Sequence, residues 1–145
     1  MATPYRTSVD IAAPPEAVYP YLTRPEAIVS WMGDYALLDA VPGGVFHLDI
    51  NGVPVRGRYL ELDPPHRLLI SWGHAGSDRL PPESSTVEIT LTARPDGTRV
   101  TIEHRDLPPE EADKHAVGWP HFLVRLAAAA SDRDPDPDPF ARTAV

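Results

Sequence analysis

Two runs of strict alternation flank Asp96-Gly97, and they constrain the fold more than any other feature of the chain. Val87, Ile89, Leu91 and Ala93 alternate with Thr86, Glu88, Thr90 and Thr92. After the turn, Val100, Ile102 and His104 alternate with Arg99, Thr101, Glu103 and Arg105. A period of two with one apolar and one polar face marks an antiparallel strand pair covered on one side, and Asp-Gly is a preferred hairpin turn. Such a sheet must bury its apolar face against another element.

The middle of the chain supplies more strands of the same kind. Phe46, Leu48 and Ile50 alternate with His47 and Asp49 behind the turn Pro42-Gly43-Gly44. Asn51-Gly52 is a strong hairpin signal and leads into a strand from about Pro54 to Leu62. After Asp63-Pro64-Pro65, Leu68, Ile70, Trp72 and His74 share one strand face, and Tyr5, Thr7, Val9 and Ile11 alternate at the start of the chain. Arg56 and Arg58 share parity with Leu60 and Leu62. A β-bulge at Gly57 removes that conflict; the alternative is an arginine entering the interior to meet a ligand carboxylate.

Helices bracket these strands. Pro14-Pro15-Glu16 opens a short helix through about Leu22, and a second runs from Pro25 to Trp31, each with proline in its first turn. Pro108-Pro109-Glu110-Glu111 starts the last helical region. Pro120 cannot donate an interior hydrogen bond, so a break or kink is expected near Gly118. Beyond it Trp119, Phe122, Leu123, Leu126, Ala127 and Ala130 form an apolar stripe at helical spacing.

That helix is the element large enough to cover the sheet. The expected fold is α+β: a curved antiparallel sheet of about six or seven strands wrapped around a long C-terminal helix, with two short helices after the first strand. An apolar cavity is expected between sheet and helix, closed at one end by the loops 75–84 and 106–118. The domain is expected to span 1–131. From Asp132 the sequence DRDPDPDPFARTAV is acidic, proline-broken and without periodicity, so 132–145 reads as a disordered tail.

Composition narrows the function classes. With 145 residues the chain can bury a real core without staples. The absence of cysteine excludes disulfides, thiolate metal sites and cysteine nucleophiles. A net charge of −8, with Lys114 the one lysine, argues against nucleic acid. No apolar run is long enough for a membrane span, and Met1 to Asp10 lacks the apolar stretch of a signal peptide. The expected location is therefore the cytoplasm.

Taken together, Ile11–Gly33 (IAAPPEAVYPYLTRPEAIVSWMG), Pro42–Gly52 (PGGVFHLDING), Gly57–Trp72 (GRYLELDPPHRLLISW), Ser85–His104 (STVEITLTARPDGTRVTIEH) and Gly118-Trp119 with its following helix resemble the START-like superfamily. Within it, they resemble the domain related to the C-terminal half of the activator of Hsp90 ATPase. The resemblance covers nearly the whole chain except the tail. It implies a helix-grip fold enclosing a cavity for a hydrophobic or amphipathic small molecule, in a superfamily whose members bind lipids, steroids and polyketides and sometimes catalyse cyclisation or dehydration. The co-chaperone role is a poor carry-over, because the activator needs a separate N-terminal domain for it.

The candidate ligand-binding residues are Trp31, Phe46, Tyr59, Trp72, His74, His104, Trp119, Phe122 and Leu123. The large aromatics offer apolar area with a polar handle, and each could equally be ordinary core. His74 and His104 sit at inward positions near strand ends, where an imidazole can meet a ligand, act as acid or base, or be satisfied by the protein. No complete catalytic constellation is present: there is no GxSxG elbow, and Ser77 lies in a polar loop. The histidines show no HxH, HxxxH or HExxH spacing, so no metal or other cofactor is expected. The lead expectation is binding of a hydrophobic small molecule. The alternatives are an enzyme using the same pocket with His104 or His74, and a protein-interaction or co-chaperone-like domain; the expected partners are a hydrophobic small molecule and a possible second copy of the chain.

Overall fold

In the computed structural model, which describes residues 4–131, the chain forms β1 (Tyr5–Ile11), α1 (Pro15–Val18), α2 (Pro20–Thr23), α3 (Pro25–Ile28), β2 (Tyr35–Leu38), β3 (Val45–Ile50), β4 (Val53–Asp63), β5 (Arg67–Trp72), β6 (Ser85–Arg94), β7 (Gly97–Arg105) and α4 (Pro109–Ala130). The segment 132–145, expected to be a tail, lies outside the described residues.

All strands join one antiparallel sheet in the order β1-β7-β6-β5-β4-β3-β2. The register follows the alternation in the sequence. Val87 faces His104, Ile89 faces Ile102 and Leu91 faces Val100, all on the buried side. The opposite face carries Glu88, which pairs with Arg67 and Arg105, so Glu103 and Arg105 belong to an outer charged network. Asn51 and Gly52 both take positive φ, as the tight β3–β4 hairpin requires.

The strand conflict is resolved at a different residue from the one expected. The bulge falls between Tyr59 and Glu61, making Leu60 the extra residue. Val55, Gly57 and Tyr59 therefore point inward, Arg56 and Arg58 outward, and Leu62 returns toward the core after the bulge. Gly57 serves another purpose. A Cβ there would stand 1.7 Å from the Ser71 carbonyl oxygen, so β4 and β5 can approach only at a glycine.

The short helices are also subdivided. The first is split into α1 and α2, because Pro20 restarts the helix after Tyr19. At Pro120 there is no break: α4 runs from Pro109 to Ala130 with the proline inside it. Proline removes the donor to the Ala116 carbonyl, and the Tyr5 hydroxyl donates to that oxygen at 3.4 Å. Two further ties hold α4 to the short-helix region: Tyr21 of α2 donates to the Ala129 carbonyl at 3.1 Å, and Arg125 Nε donates to the carbonyl of Trp31, just after α3, at 3.3 Å. Trp119, Leu123, Leu126 and Ala130 are buried beneath it, completing the core between helix and sheet.

Candidate functional site

Strand parity brings His104 inward on β7, where it is fully buried. Its surroundings settle its tautomer. The indole Nε1–H of Trp119 can only donate, and it lies 3.1 Å from His104 Nδ1. The ring proton is therefore on Nε2, which donates to Ser85 Oγ at 2.8 Å. Ser85 in turn donates to the Trp72 carbonyl at 2.7 Å. Burial pushes the imidazole pKa down to about 2, helped by His115 and His74 nearby. His104 is thus neutral with both nitrogens satisfied, and it works as a structural link between β6, β7 and α4.

Beyond this link, at the end of the sheet that carries the β3–β4 hairpin tip, a cleft of about 300 Å³ opens to solvent. One wall is α4, which contributes Glu111, Lys114, His115, Gly118, Trp119 and Phe122. These recur every three or four residues, so they occupy a single helix face. Ile50, Val53 and Val55 from the hairpin, together with Trp72, His74 and Met32, complete the lining. The lining is predominantly apolar.

The polar groups gather around two imidazoles. The rings of His74 and His115 lie nearly parallel, 14° apart with centroids 5.9 Å apart. His115 Nδ1 donates to the Glu111 carbonyl at 2.8 Å, which leaves Nε2 with a lone pair and no proton. Burial holds both histidines below their ordinary value; Glu111 pulls the other way, at His115 first through its backbone carbonyl and at both rings through its carboxylate. Both are therefore neutral at pH 7. Glu111 is only 6% exposed, and its carboxylate meets Lys114 Nζ at 3.3 Å. The indole N–H of Trp72 is buried without a hydrogen-bond partner. Chemically, this is an apolar trough that offers hydrogen-bond acceptors and one ion pair near the two imidazoles.

The candidates named from sequence divide between trough and core. Trp72, His74, Trp119 and Phe122 line the cleft. Trp31, Phe46, Tyr59, His104 and Leu123 do not. Tyr59 packs edge-on against Phe46 and donates to the Leu22 carbonyl at 2.9 Å, and Trp31 donates to the Tyr21 carbonyl at 2.9 Å. These side chains fill the space between sheet and helix, where a void of only about 10 Å³ remains among Trp31, Phe46, Trp72 and Trp119. The open space is therefore at the mouth of the grip.

The loop 75–84 contributes no lining residue. His74 and Ala75 are held by backbone bonds to Leu80 and Pro54, and Leu80 is buried. Sequence reasoning missed Glu111, Lys114, His115 and Gly118, whose signal was their spacing relative to Trp119 and Phe122. It also missed Ile50, Val53 and Val55, the apolar residues beside a strong hairpin turn.

Comparison with known proteins places this geometry in a family. The family model described as Activator of Hsp90 ATPase homolog 1-like protein matches residues 12–131. No curated protein matches the chain. Among solved structures, an AHSA1-like protein from Rhizobium etli is 40% identical, with 99% of this chain and 91% of that chain covered and a TM-score of 0.77. CalU16 from Micromonospora echinospora is 32% identical over 91% of this chain and 74% of its own, with a TM-score of 0.70. A protein from Chromobacterium violaceum is 26% identical over 94% and 100%, with a TM-score of 0.81. The helix-grip fold and the match over residues 12–131 together make this chain a member of the Activator of Hsp90 ATPase homolog 1-like family, within the START-like superfamily.

Proposed function

We propose that the chain is a binding domain for an amphipathic small molecule, held in the cleft between α4 and the β3–β4 hairpin. The observation that carries this reading is the segregation of the lining. Aromatic and aliphatic walls surround a space large enough for a small ligand, and the polar groups cluster around His74 and His115. Burying an apolar body against Trp119, Phe122 and Val55 supplies the affinity, and the neutral imidazoles fix its orientation by accepting a hydrogen bond from a ligand hydroxyl. Residues 1–131 are the unit that carries this function.

An enzymatic reading of the same cleft rests on His115, whose Nε2 lone pair is placed to accept a proton from a bound compound. Native mass spectrometry of the protein purified from its own host tests both readings. Retention of a small apolar or amphipathic compound is expected. Its release unchanged supports binding, and its conversion on incubation supports catalysis. A bare polypeptide mass, together with no saturable uptake of any apolar probe, contradicts both.

A further inference from the structure

The α4 wall of the cleft contains a gap. Glu111, His115, Gly118 and Phe122 succeed one another along a single face, and Gly118 alone among them has no side chain. The fold does not require a glycine at this point. A Cβ built on Gly118 meets no atom within 4 Å outside its two chain neighbours and the backbone of its own helix, and Gly118 lies within the regular helix. Gly57 and Gly73 differ sharply, since a Cβ there would stand 1.7 and 1.9 Å from carbonyl oxygens of Ser71 and Pro81. Glycine in a helix interior is also less stable than alanine, because its backbone loses more freedom on folding. Gly118 therefore weakens the helix and relieves no clash.

What Gly118 does provide is room facing the cleft. The helical rise places His115 and Phe122 about 10 Å apart along the axis, so leaving out the side chain at Gly118, beside Trp119, leaves the helix backbone open to the cleft between them. We propose that Gly118 is the specificity-determining position of the cleft, and that an aryl-sized, flat apolar group of the ligand lies in the notch this leaves, against the helix backbone. This rests on the cleft being the ligand site, and the experiment separates the two claims.

The probe is the dye 1-anilinonaphthalene-8-sulfonate, titrated against the native chain and its variants, with thermal unfolding measured on the same samples. Gly118→Ala should raise the unfolding temperature by about 1–4 °C, from the helix propensity gained, while weakening the dye several-fold. Gly118→Leu should weaken it at least tenfold with an unchanged circular dichroism spectrum. Val53→Trp, in the hairpin part of the lining, should also block the dye if the cleft is the site. A drop in unfolding temperature for Gly118→Ala would overturn the proposal, since glycine would then serve the helix beside Pro120. Parental dye affinity in Gly118→Leu with loss in Val53→Trp would overturn the notch and leave the cleft standing. Parental affinity in both variants, or no binding by the parent, would remove the notch and the cleft together.

Discussion

Replacing Trp119 by alanine is expected to destabilise the fold by about 3–5 kcal/mol, the cost of deleting a packed large aromatic. Trp119 is 3% exposed, and its ring lies 5.3 Å from that of Trp72. It is also the donor to His104 Nδ1, so truncation leaves a buried acceptor without a partner, a penalty of about 1–3 kcal/mol. The two effects share one side chain and do not simply add, which puts the expected loss at the upper end of the range. Trp119→Phe keeps most of the apolar area and removes only the donor, so it should cost about 1–3 kcal/mol. Urea unfolding of the pair, with unchanged slopes, checks this. A loss below about 1 kcal/mol for Trp119→Ala would mean that the indole, although it lines the cleft, contributes little to the packing between α4 and the sheet.

Acidification supplies the second large effect. His104 has a folded pKa of about 2 and an unfolded value near 6.5. Between those values the unfolded chain binds more protons than the folded one, so stability rises with pH and is lost as pH falls below about 6.5. From pH 7.5 to 4.5 this one group should remove about 2–3 kcal/mol. His74 and His115, also held below their ordinary value by burial, act in the same direction. Glu88 and Asp10, whose pKa values are lowered by arginine partners, add their own loss only at more acidic pH. Urea midpoints measured across this range should fall steadily. In His104→Phe, which cannot titrate, the fall should be shallower. A flat profile from pH 7.5 to 4.5 would contradict the buried neutral imidazole.

How far the sequence reveals this molecule depends on whether the governing interaction is local. The alternation of Val87 to Ala93 and Val100 to His104 reports burial residue by residue, so both register and the inward face of His104 were legible. The partners of His104 were not, because Ser85 and Trp119 reach it through tertiary packing. The Leu60 bulge was visible only as a parity conflict. Its position depends on how β4 pairs with β5, and the glycine that looked like the bulge is the close contact instead. The edge strand β2 escaped notice because Tyr35, Ala36, Leu37 and Leu38 do not alternate in polarity, and Tyr35 and Leu37 are exposed.

The cleft shows the same limit. In the sequence, Pro120 hides the continuity of α4 at the point where the lining stripe crosses it. Trp119 and Phe122 were therefore found, and Glu111, His115 and Gly118 were not. A single external hydrogen bond, from Tyr5 to the carbonyl that Pro120 leaves without its helical donor, accompanies the uninterrupted helix. Nothing near position 120 in the sequence announces it.

The three tryptophans provide the most direct test of the central claim. Their indole N–H groups report on distinct places: Trp31 is bonded to the Tyr21 carbonyl in the core, Trp119 is bonded to His104 behind the cleft, and Trp72 is unpartnered in the cleft lining. Titrating the native chain with 1-anilinonaphthalene-8-sulfonate and following the indole signals by two-dimensional ¹H–¹⁵N NMR reads all three at once. Saturable shifts of the Trp72 and Trp119 signals, with Trp31 unmoved, are the expected result. Saturable binding that leaves Trp72 and Trp119 in place would put the ligand elsewhere and contradict the cleft as the functional site.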